Sequence, residues 1–132
     1  MSRRYLLDTC VAIWYFEGSP EIPKGLLGEL RDFSNDVLLS DISVLEIVIK
    51  YGLGKLPLPS PPSRVILPLA AKHGFELLPL CTEAVFGLED LPHLHRDPFD
   101  RLLISEARLH GLTLITPDPL IRQYDVNVCW PE

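Results

Sequence analysis

Short apolar runs alternate with longer segments of helical periodicity along most of the chain. Five of these runs predict strands: Tyr5–Leu7, Val37–Leu39, Phe75–Leu78, Leu112–Thr116 and Val126–Trp130. The longer segments predict helices over Cys10–Glu17, Pro23–Phe33, Ser43 to Gly52 or Gly54, Arg64–His73, a short stretch after Thr82, and Asp97–Leu109. Short apolar runs bounded by turn residues are typical of strands that are buried on both faces of a parallel sheet.

Proline, glycine and serine mark several boundaries of these elements. Ser63 is a candidate N-cap for the helix over Arg64–His73, and Gly111 is expected to end the last helix. Pro68 lies inside the Arg64–His73 segment, where a proline would kink the helix. The proline-rich segment Leu56–Pro62 predicts an extended surface loop.

The alternation of strands and helices favours a parallel sheet that is covered by helices on both faces. No internal repeat, low-complexity tract or interdomain linker interrupts the pattern. The length of 132 residues is that of one domain. We therefore expect a single three-layer α/β/α domain over residues 1–132, with a mostly parallel central sheet.

Composition excludes several classes of protein. The longest apolar run, Cys10–Phe16, is far shorter than the roughly 18 residues that a membrane span needs. The apolar stretch after Arg4 ends at Asp8, which is too early for a signal peptide. The three cysteines are odd in number and lack C-x-x-C spacing, which argues against a disulfide framework and a structural zinc site. We expect a cytoplasmic protein that does not associate with membranes.

The net charge of −6 limits how this protein could hold a nucleic acid. A protein that binds nucleic acid by charge alone is expected to be basic. Metal cations bound in a cluster of acidic residues could attract a polyanion instead, so the acidic residues are the first candidates for chemistry.

Five acidic residues are predicted at one edge of the sheet. In open parallel sheets ligands bind at the carboxyl ends of the strands. Asp8 follows the first strand directly, and Glu46 lies one turn into the helix after the second. Asp97 and Asp100 occupy the first turn of the late helix, and Asp118 follows the strand that ends at Thr116.

Most of these residues also have a structural interpretation. Ser43 and Glu46 fit a capping box, and Glu46 could pair with Lys50 one turn later. Asp97 before a proline fits an N-cap, Asp100 would favour the helix dipole, and Asp118 between two prolines fits a turn.

Asp8 is the exception, because an unpaired carboxylate at the end of a buried strand is costly. Converging carboxylates repel one another, and neither Asp8 nor Asp118 has a Lys or Arg beside it in sequence. Hard divalent cations such as Mg²⁺ bind oxygen ligands and relieve such repulsion. Two of them can stabilise the attacking and leaving oxygens of phosphodiester cleavage.

Several motifs resemble those of one known family. They are Y-L-L-D-T at 5–9, S-V-L-E-I-V-I-K at 43–50, G-K-L-P-L at 54–58, L-P at 91–92, H-R-D-P-F-D-R-L-L-I at 95–104 and L-I-T-P-D at 114–118. In this order they resemble the PIN-domain ribonucleases and, within them, the VapC-type toxins of toxin–antitoxin pairs. The H-R-D-P-F-D-R-L-L-I run is the most specific. Two departures, at 83–85 and 105–107, leave the acidic positions unchanged.

The resemblance implies a metal-dependent endoribonuclease whose acidic set is Asp8, Glu46, Asp100 and Asp118. It makes Asp8 and Asp100 the principal ligands of Mg²⁺ or Mn²⁺, completed by Glu46 and Asp118, with Asp97 kept as a helix cap. Thr9 and Thr116 are expected to orient the carboxylates. A metal-activated water would attack RNA phosphorus and leave a 5′-phosphate.

The resemblance also implies a cognate VapB-like antitoxin, an RNA substrate and a homodimer. Arg96 and Arg101 could contact phosphate, although Arg101 could instead face solvent. His93 and His95 are expected to be solvated. The aromatic run Trp14–Phe16 exceeds what one helix face can bury, so part of it is expected in the core and part on a partner surface.

Two other functions fit less of the sequence. A phosphatase of the haloacid dehalogenase type would use a strand-end Asp as nucleophile, but Cys10 stands where that family has its second Asp. A non-catalytic PIN-like module that binds RNA or protein is the other alternative. Such modules usually lack some of the acidic residues, and here the set is complete.

Overall fold

The centre of the structure, a computed structural model that describes residues 3–131, is a parallel five-stranded sheet. Its strands are β1 (Arg4–Leu7), β2 (Asp36–Ser40), β3 (Glu76–Leu78), β4 (Thr113–Ile115) and β5 (Val128–Cys129). They lie in the order β3-β2-β1-β4-β5, and every described strand pair is parallel. In β1, Leu6 is in register with Leu38 of β2 and with Leu114 of β4.

The helices are α1 (Thr9–Glu17), α2 (Lys24–Arg31), α3 (Asp41–Gly52), α4 (Pro62–Lys72), α5 (Thr82–Phe86) and α6 (Pro98–His110). Two short 3₁₀ segments, Gly87–Asp90 and Ile121–Gln123, are additions to the predicted elements. Across the described residues, none of these helices has both the length and the apolar character that crossing a bilayer requires.

The pleat of β1 divides the core into two halves. Tyr5 and Leu7 face the half that contains apolar residues of α1, α2 and α4, whereas Leu6 faces the half that contains those of α6. Side chains of successive strand residues point to opposite faces, so a strand that is apolar throughout must be covered on both sides. The predicted three-layer α/β/α architecture is confirmed.

Two helix starts differ from the predictions. α3 begins at Asp41, and the hydroxyl of Ser40 accepts a hydrogen bond from the Ile42 amide, so the predicted capping box of Ser43 and Glu46 is wrong. Two serines three residues apart both precede the apolar run, and the end of β2 decides between them. α4 begins at Pro62 rather than behind a Ser63 cap, and it continues through Pro68.

The crossover of the chain creates a crevice in the middle of the sheet. From β3 at one edge the chain passes to β4, on the other side of β1. Connections leave β1 and β4 toward different sides, and such a switch point opens a crevice at the carboxyl ends of the strands. Asp8 and Asp118 follow these two strands.

A buried polar pair links the two helices that flank this crevice. Ser40, the cap of α3, donates to Oε1 of Glu106 on α6, and both side chains are fully buried. The other oxygen, Oε2, has no hydrogen-bond partner among residues 3–131. Burial raises the pKa of Glu106 to about 7, and the nearby Asp41 carboxylate adds to the rise.

We predict that Glu106 makes the folded state less stable as the pH rises. The pKa is about 7 in the folded protein and 4.5 in an unperturbed glutamate, so the folded state holds the proton more tightly between these values. Stability should therefore fall from about pH 4.5 to 7 and stay lower above. From pH 5 to pH 8, the free energy of unfolding of Glu106→Gln should increase by about 2–3 kcal/mol relative to that of the wild type. Urea unfolding at both pH values measures this, with Glu83→Gln as an exposed control. Equal pH dependence of Glu106→Gln and the wild type would contradict the prediction.

Candidate active site

A cleft of about 380 Å³ opens at the carboxyl ends of β1 and β4. All five acidic residues that were predicted at this edge contribute to its lining: Asp8, Glu46, Asp97, Asp100 and Asp118. They come from the ends of two strands, the second turn of α3 and the start of α6. The convergence that the strand pattern predicts is present in the fold.

Asp8 joins β1 to α1 and is buried, with 6% of its surface exposed. Its backbone N–H donates to the carbonyl of Ile115 in β4 at 3.0 Å. Its Oδ2 accepts a hydrogen bond from the hydroxyl of Thr116 at 2.6 Å, and that hydroxyl in turn accepts from the Asp118 amide at 3.1 Å. Thr116 therefore orients Asp8, as predicted, and couples it to the turn that carries Asp118.

Thr9 acts differently from the prediction. Its hydroxyl donates to Ser43 at 2.9 Å, which ties the start of α1 to α3, and within residues 3–131 it has no hydrogen bond to a carboxylate. Its backbone N–H lowers the pKa of Asp8, although the hydroxyl of Thr116 lowers it more. The helix start turns this N–H toward Asp8 and points the hydroxyl into the neighbouring helix.

Glu46 reaches the cleft from α3 with one oxygen engaged and one free. Oε2 pairs with Nζ of Lys50 at 3.3 Å, which confirms the predicted i,i+4 pair. Oε1 is buried and has no hydrogen-bond partner among residues 3–131. A buried carboxylate oxygen without a donor is costly, and it fits a cation ligand.

The first turn of α6 places Asp97 and Asp100. Oδ1 of Asp97 accepts from the amides of Phe99 at 2.8 Å and of Asp100 at 3.5 Å. Asp97 is thus the N-cap of α6, as predicted. The cap leaves Asp100 one turn inward, where it faces the cleft.

The carboxylates disfavour one another's charged forms. Burial, followed by the charges of Asp8 and Asp97, raises the pKa of Asp100 to about 7, and His95 opposes this rise. Burial also raises the pKa of Asp8, with a smaller contribution from Glu46, although the hydrogen bond from Thr116 lowers it. A divalent cation would relieve this repulsion and satisfy the free oxygen of Glu46. The residues present therefore fit a hard metal ion with oxygen ligands, such as Mg²⁺ or Mn²⁺.

His95 is a site residue that sequence reasoning missed. Its Nε2 lies 2.9 Å from Oδ2 of Asp100 and 3.0 Å from Oδ2 of Asp118. The expectation that His95 is solvated is wrong, whereas His93, two residues earlier, is exposed. The only sequence signal was its place at the head of the specific run 95–104.

Arg101 is also placed differently from either expectation. It is buried, with 8% of its surface exposed, and neither contacts the cleft nor faces solvent. Its guanidinium donates to the carbonyls of Pro92, Leu88 and Leu91 and to the hydroxyl of Tyr124. Arg101 thus holds the loop that carries His95. Arg96 is exposed and remains a candidate for contact with phosphate.

Cys10 lines the cleft beside Asp8, with its Sγ 3.7 Å from Oδ2 of that residue. Burial and the Asp8 carboxylate raise the pKa of the thiol far above its ordinary value. Cys10 is therefore a neutral thiol that donates to Asp8. The other two cysteines, Cys81 and Cys129, are also free.

Comparison with known families places this cleft in context. The model of the PIN domain family matches residues 5–127. The chain belongs to the PIN domain family. This membership confirms the predicted family and leaves the phosphatase alternative without support. No curated protein sequence matches the chain.

Solved structures share the PIN fold at low sequence identity. VapBC2 from Rickettsia felis, bound to a DNA fragment from its promoter, is 18% identical over 95% of this chain and 96% of that chain, with a TM-score of 0.72. DNA-bound VapBC from Salmonella typhimurium is 18% identical over 98% of each chain, with a TM-score of 0.68. A toxin–antitoxin complex from Klebsiella pneumoniae is 21% identical over 97% and 98%, with a TM-score of 0.65.

We predict that millimolar Mg²⁺ or Mn²⁺ raises the melting temperature of this PIN domain at pH 8. At that pH Asp100 is forced to ionise beside Asp8 and Asp97, and a cation bound to the folded form relieves this cost. Asp100→Asn should stabilise the metal-free protein and reduce the shift caused by metal. Thermal unfolding with metal and with EDTA measures both effects.

Asp125→Asn is the matched control, because it removes an exposed carboxylate outside the cleft. It should leave the shift caused by metal unchanged. Identical melting curves of the wild type in metal and in EDTA would contradict the metal site.

Proposed function

We propose that this protein is a metal-dependent endoribonuclease and the VapC-type toxin of a toxin–antitoxin pair. One observation carries the proposal. Asp8, Glu46, Asp100 and Asp118, from four separate parts of the chain, line one cleft at the switch point of the sheet. The buried free oxygen of Glu46 adds a ligand atom that lacks a donor. PIN domains are generally nucleases, and the fold matches this use of the cleft.

Asp8 and Asp100 are the proposed principal ligands, and Glu46 and Asp118 complete the set directly or through water. Bound Mg²⁺ or Mn²⁺ would supply an activated water and stabilise the charge that develops on the phosphate during in-line displacement. Thr116 fixes Asp8. RNA cleavage of this kind leaves a 5′-phosphate.

The protein's own cations have a secondary role in this proposal. Lys50 borders the cleft and is half-exposed, and Arg96 is exposed in the loop just before the Asp97 cap of α6. Both can contact phosphates that flank the scissile one. With a net charge of −6, the chain depends on bound metal to make the cleft attractive to RNA.

The alternative of a non-catalytic PIN-like module is less well supported. A binding module has no need for converging, mutually repelling carboxylates whose ionisation is costly. Such destabilising clusters are typical of functional sites, where the cost is met by a ligand.

We predict that Asp8→Asn and Asp100→Asn each reduce RNA cleavage by orders of magnitude and keep the fold. Each substitution preserves side-chain volume and removes one negative charge from the metal site. Cleavage of a mixed RNA substrate with Mn²⁺, and its loss in EDTA, measure the activity, with circular dichroism as the test of folding.

Asp125→Asn should cleave like the wild type. Near-normal, EDTA-sensitive cleavage by both Asp8→Asn and Asp100→Asn would overturn the site assignment. If the wild type binds RNA but does not cleave it in any metal, the binding module becomes the better description.

An apolar groove of about 510 Å³ next to the cleft supports the proposed antitoxin partner. Ile13 and Phe16 on α1 line this groove. Cys10, one turn earlier on the same helix, lines the cleft. On α3, Ile47 borders the groove and the adjacent Glu46 borders the cleft. A partner segment that packs apolar side chains into the groove could therefore extend an Arg or Lys to the carboxylates.

The aromatic run that suggested a partner surface is mostly used within the chain. Tyr15 is buried and its ring lies 4.9 Å from that of Phe75, while Trp14 packs against Trp130 at 6.1 Å. Phe16 alone lines the groove. The proposed homodimer has better support elsewhere, because α3 and its C-cap carry exposed apolar side chains at helical spacing: Leu45, Val48, Ile49 and the cap residue Leu53.

We predict that expression of this protein alone arrests growth, and that co-expression of a neighbouring small open reading frame with a basic tail restores it. The partner is expected to be partly disordered and to fold on binding. Co-purification with light scattering gives the stoichiometry and tests the dimer. Asp100→Asn, expressed alone, should be harmless. A wild type that is harmless alone and captures no small partner would contradict the toxin, even if purified protein cleaves RNA.

A further inference from the structure

A backbone contact determines which nitrogen of the His95 ring is an acceptor. The backbone N–H of Asp97 donates to Nδ1 of His95 at 3.1 Å. A backbone N–H can only donate, so Nδ1 must be the unprotonated nitrogen. In a neutral imidazole the proton is then on Nε2. The His95 ring therefore presents an N–H to the cleft.

This N–H lies between two proposed metal ligands from different parts of the chain. Nε2 is 2.9 Å from Oδ2 of Asp100 on α6 and 3.0 Å from Oδ2 of Asp118 after β4. The His95 side chain is 12% exposed, so water competes weakly for these bonds. One N–H donor thus holds together two carboxylate oxygens that otherwise repel each other.

The loop that carries His95 is itself anchored. The hydroxyl of Tyr124 accepts from the amides of Leu94 at 3.1 Å and His95 at 2.8 Å. Arg101 donates to the same hydroxyl and to the Pro92 carbonyl. Tyr124 holds the backbone of His95, and the Asp97 amide holds Nδ1 of its ring. The imidazole therefore has little freedom to rotate.

The same bonds argue against His95 as a metal ligand. A metal bound to Nε2 would require the ring proton to be on Nδ1. The Nδ1–H would then point at the Asp97 N–H, and the hydrogen bond between them would be lost. We infer that His95 is a positioning residue: its Nε2–H holds Oδ2 of Asp100 and Oδ2 of Asp118 next to each other, where one cation could bind both carboxylates. The inference rests on the proposed metal site. Loss of partners of this kind typically lowers metal affinity 10–100-fold.

The experiment compares His95→Leu, which removes the donor, with His95→Gln, which keeps an N–H donor on a side chain of similar reach. His93→Leu is the matched control, because His93 lies exposed in the same loop. Titration with MnCl₂, followed by the paramagnetic resonance of free Mn²⁺, gives affinity without reference to cleavage. Long-range ¹H–¹⁵N spectra of the metal-free wild type report the His95 tautomer directly.

We expect the Nε2–H tautomer, a 10–100-fold loss of Mn²⁺ affinity in His95→Leu, a smaller loss in His95→Gln and none in His93→Leu. Because His95 is not a ligand, Co²⁺ affinity should fall by the same factor as Mn²⁺ affinity, and the visible spectrum of the Co²⁺ form should not change.

An Nδ1–H tautomer, or a Co²⁺ spectrum that changes in His95→Gln, would overturn the inference in favour of direct coordination. Mn²⁺ affinity equal to the wild type in His95→Leu would overturn it while leaving the metal site intact. If the wild type itself binds no Mn²⁺, the metal site of the proposed function is wrong and the inference falls with it. If the His95 variants lose Mn²⁺ affinity as expected but the wild type cleaves no RNA, the nuclease activity is wrong and the inference about His95 stands.

Discussion

Mutual repulsion of carboxylates at the carboxyl ends of β1 and β4 is the constraint on which the rest of this structure depends. Asp8 and Asp100 are both largely withdrawn from water, the Asp8 carboxylate raises the pKa of Asp100, and the Glu46 carboxylate raises the pKa of Asp8. Coulomb interactions strengthen as the local dielectric falls, so burial makes the conflict worse. The fold holds these groups close together, and the one lysine among residues 3–131 that lines the cleft, Lys50, pairs with Glu46 rather than with Asp8 or Asp100.

In the described residues, hydroxyl, backbone and imidazole donors hold most of these carboxylates in place. Thr116 donates to Asp8, the cap position of Asp97 places Asp100, and the His95 ring spans Asp100 and Asp118. A hydroxyl or an imidazole N–H fixes the direction of a carboxylate while leaving a second oxygen for a cation. An Arg or Lys at the same place would occupy the site. Arg101 is kept from the cleft by its bonds to backbone carbonyls and to Tyr124.

Local sequence rules predicted the parts of the site that depend on neighbours along the chain. The strand ends at Asp8 and Asp118, the Asp97 cap and the Glu46–Lys50 pair each involve residues within four positions of one another. The rules failed where a partner lies far away in sequence. Ser40 rather than Ser43 begins α3 because β2 ends there, and Ser40 is held by Glu106, 66 positions later. His95 and Arg101 both depend on Tyr124, 29 and 23 positions away, and no pattern of local spacing encodes those contacts.

The same distant contacts explain why the stability and the chemistry of this domain are coupled. α3 and α6 carry Glu46 and Asp100. The buried pair of Ser40, the N-cap of α3, and Glu106, in the third turn of α6, joins these two helices. Glu106 carries a raised pKa for the same reason as Asp100, since both are withdrawn from water beside other acids. The metal-free domain therefore stores unfavourable electrostatic energy in two linked places. A cation in the cleft would relieve only the repulsion among the site carboxylates. The cost of ionising the buried Glu106 between α3 and α6 would remain.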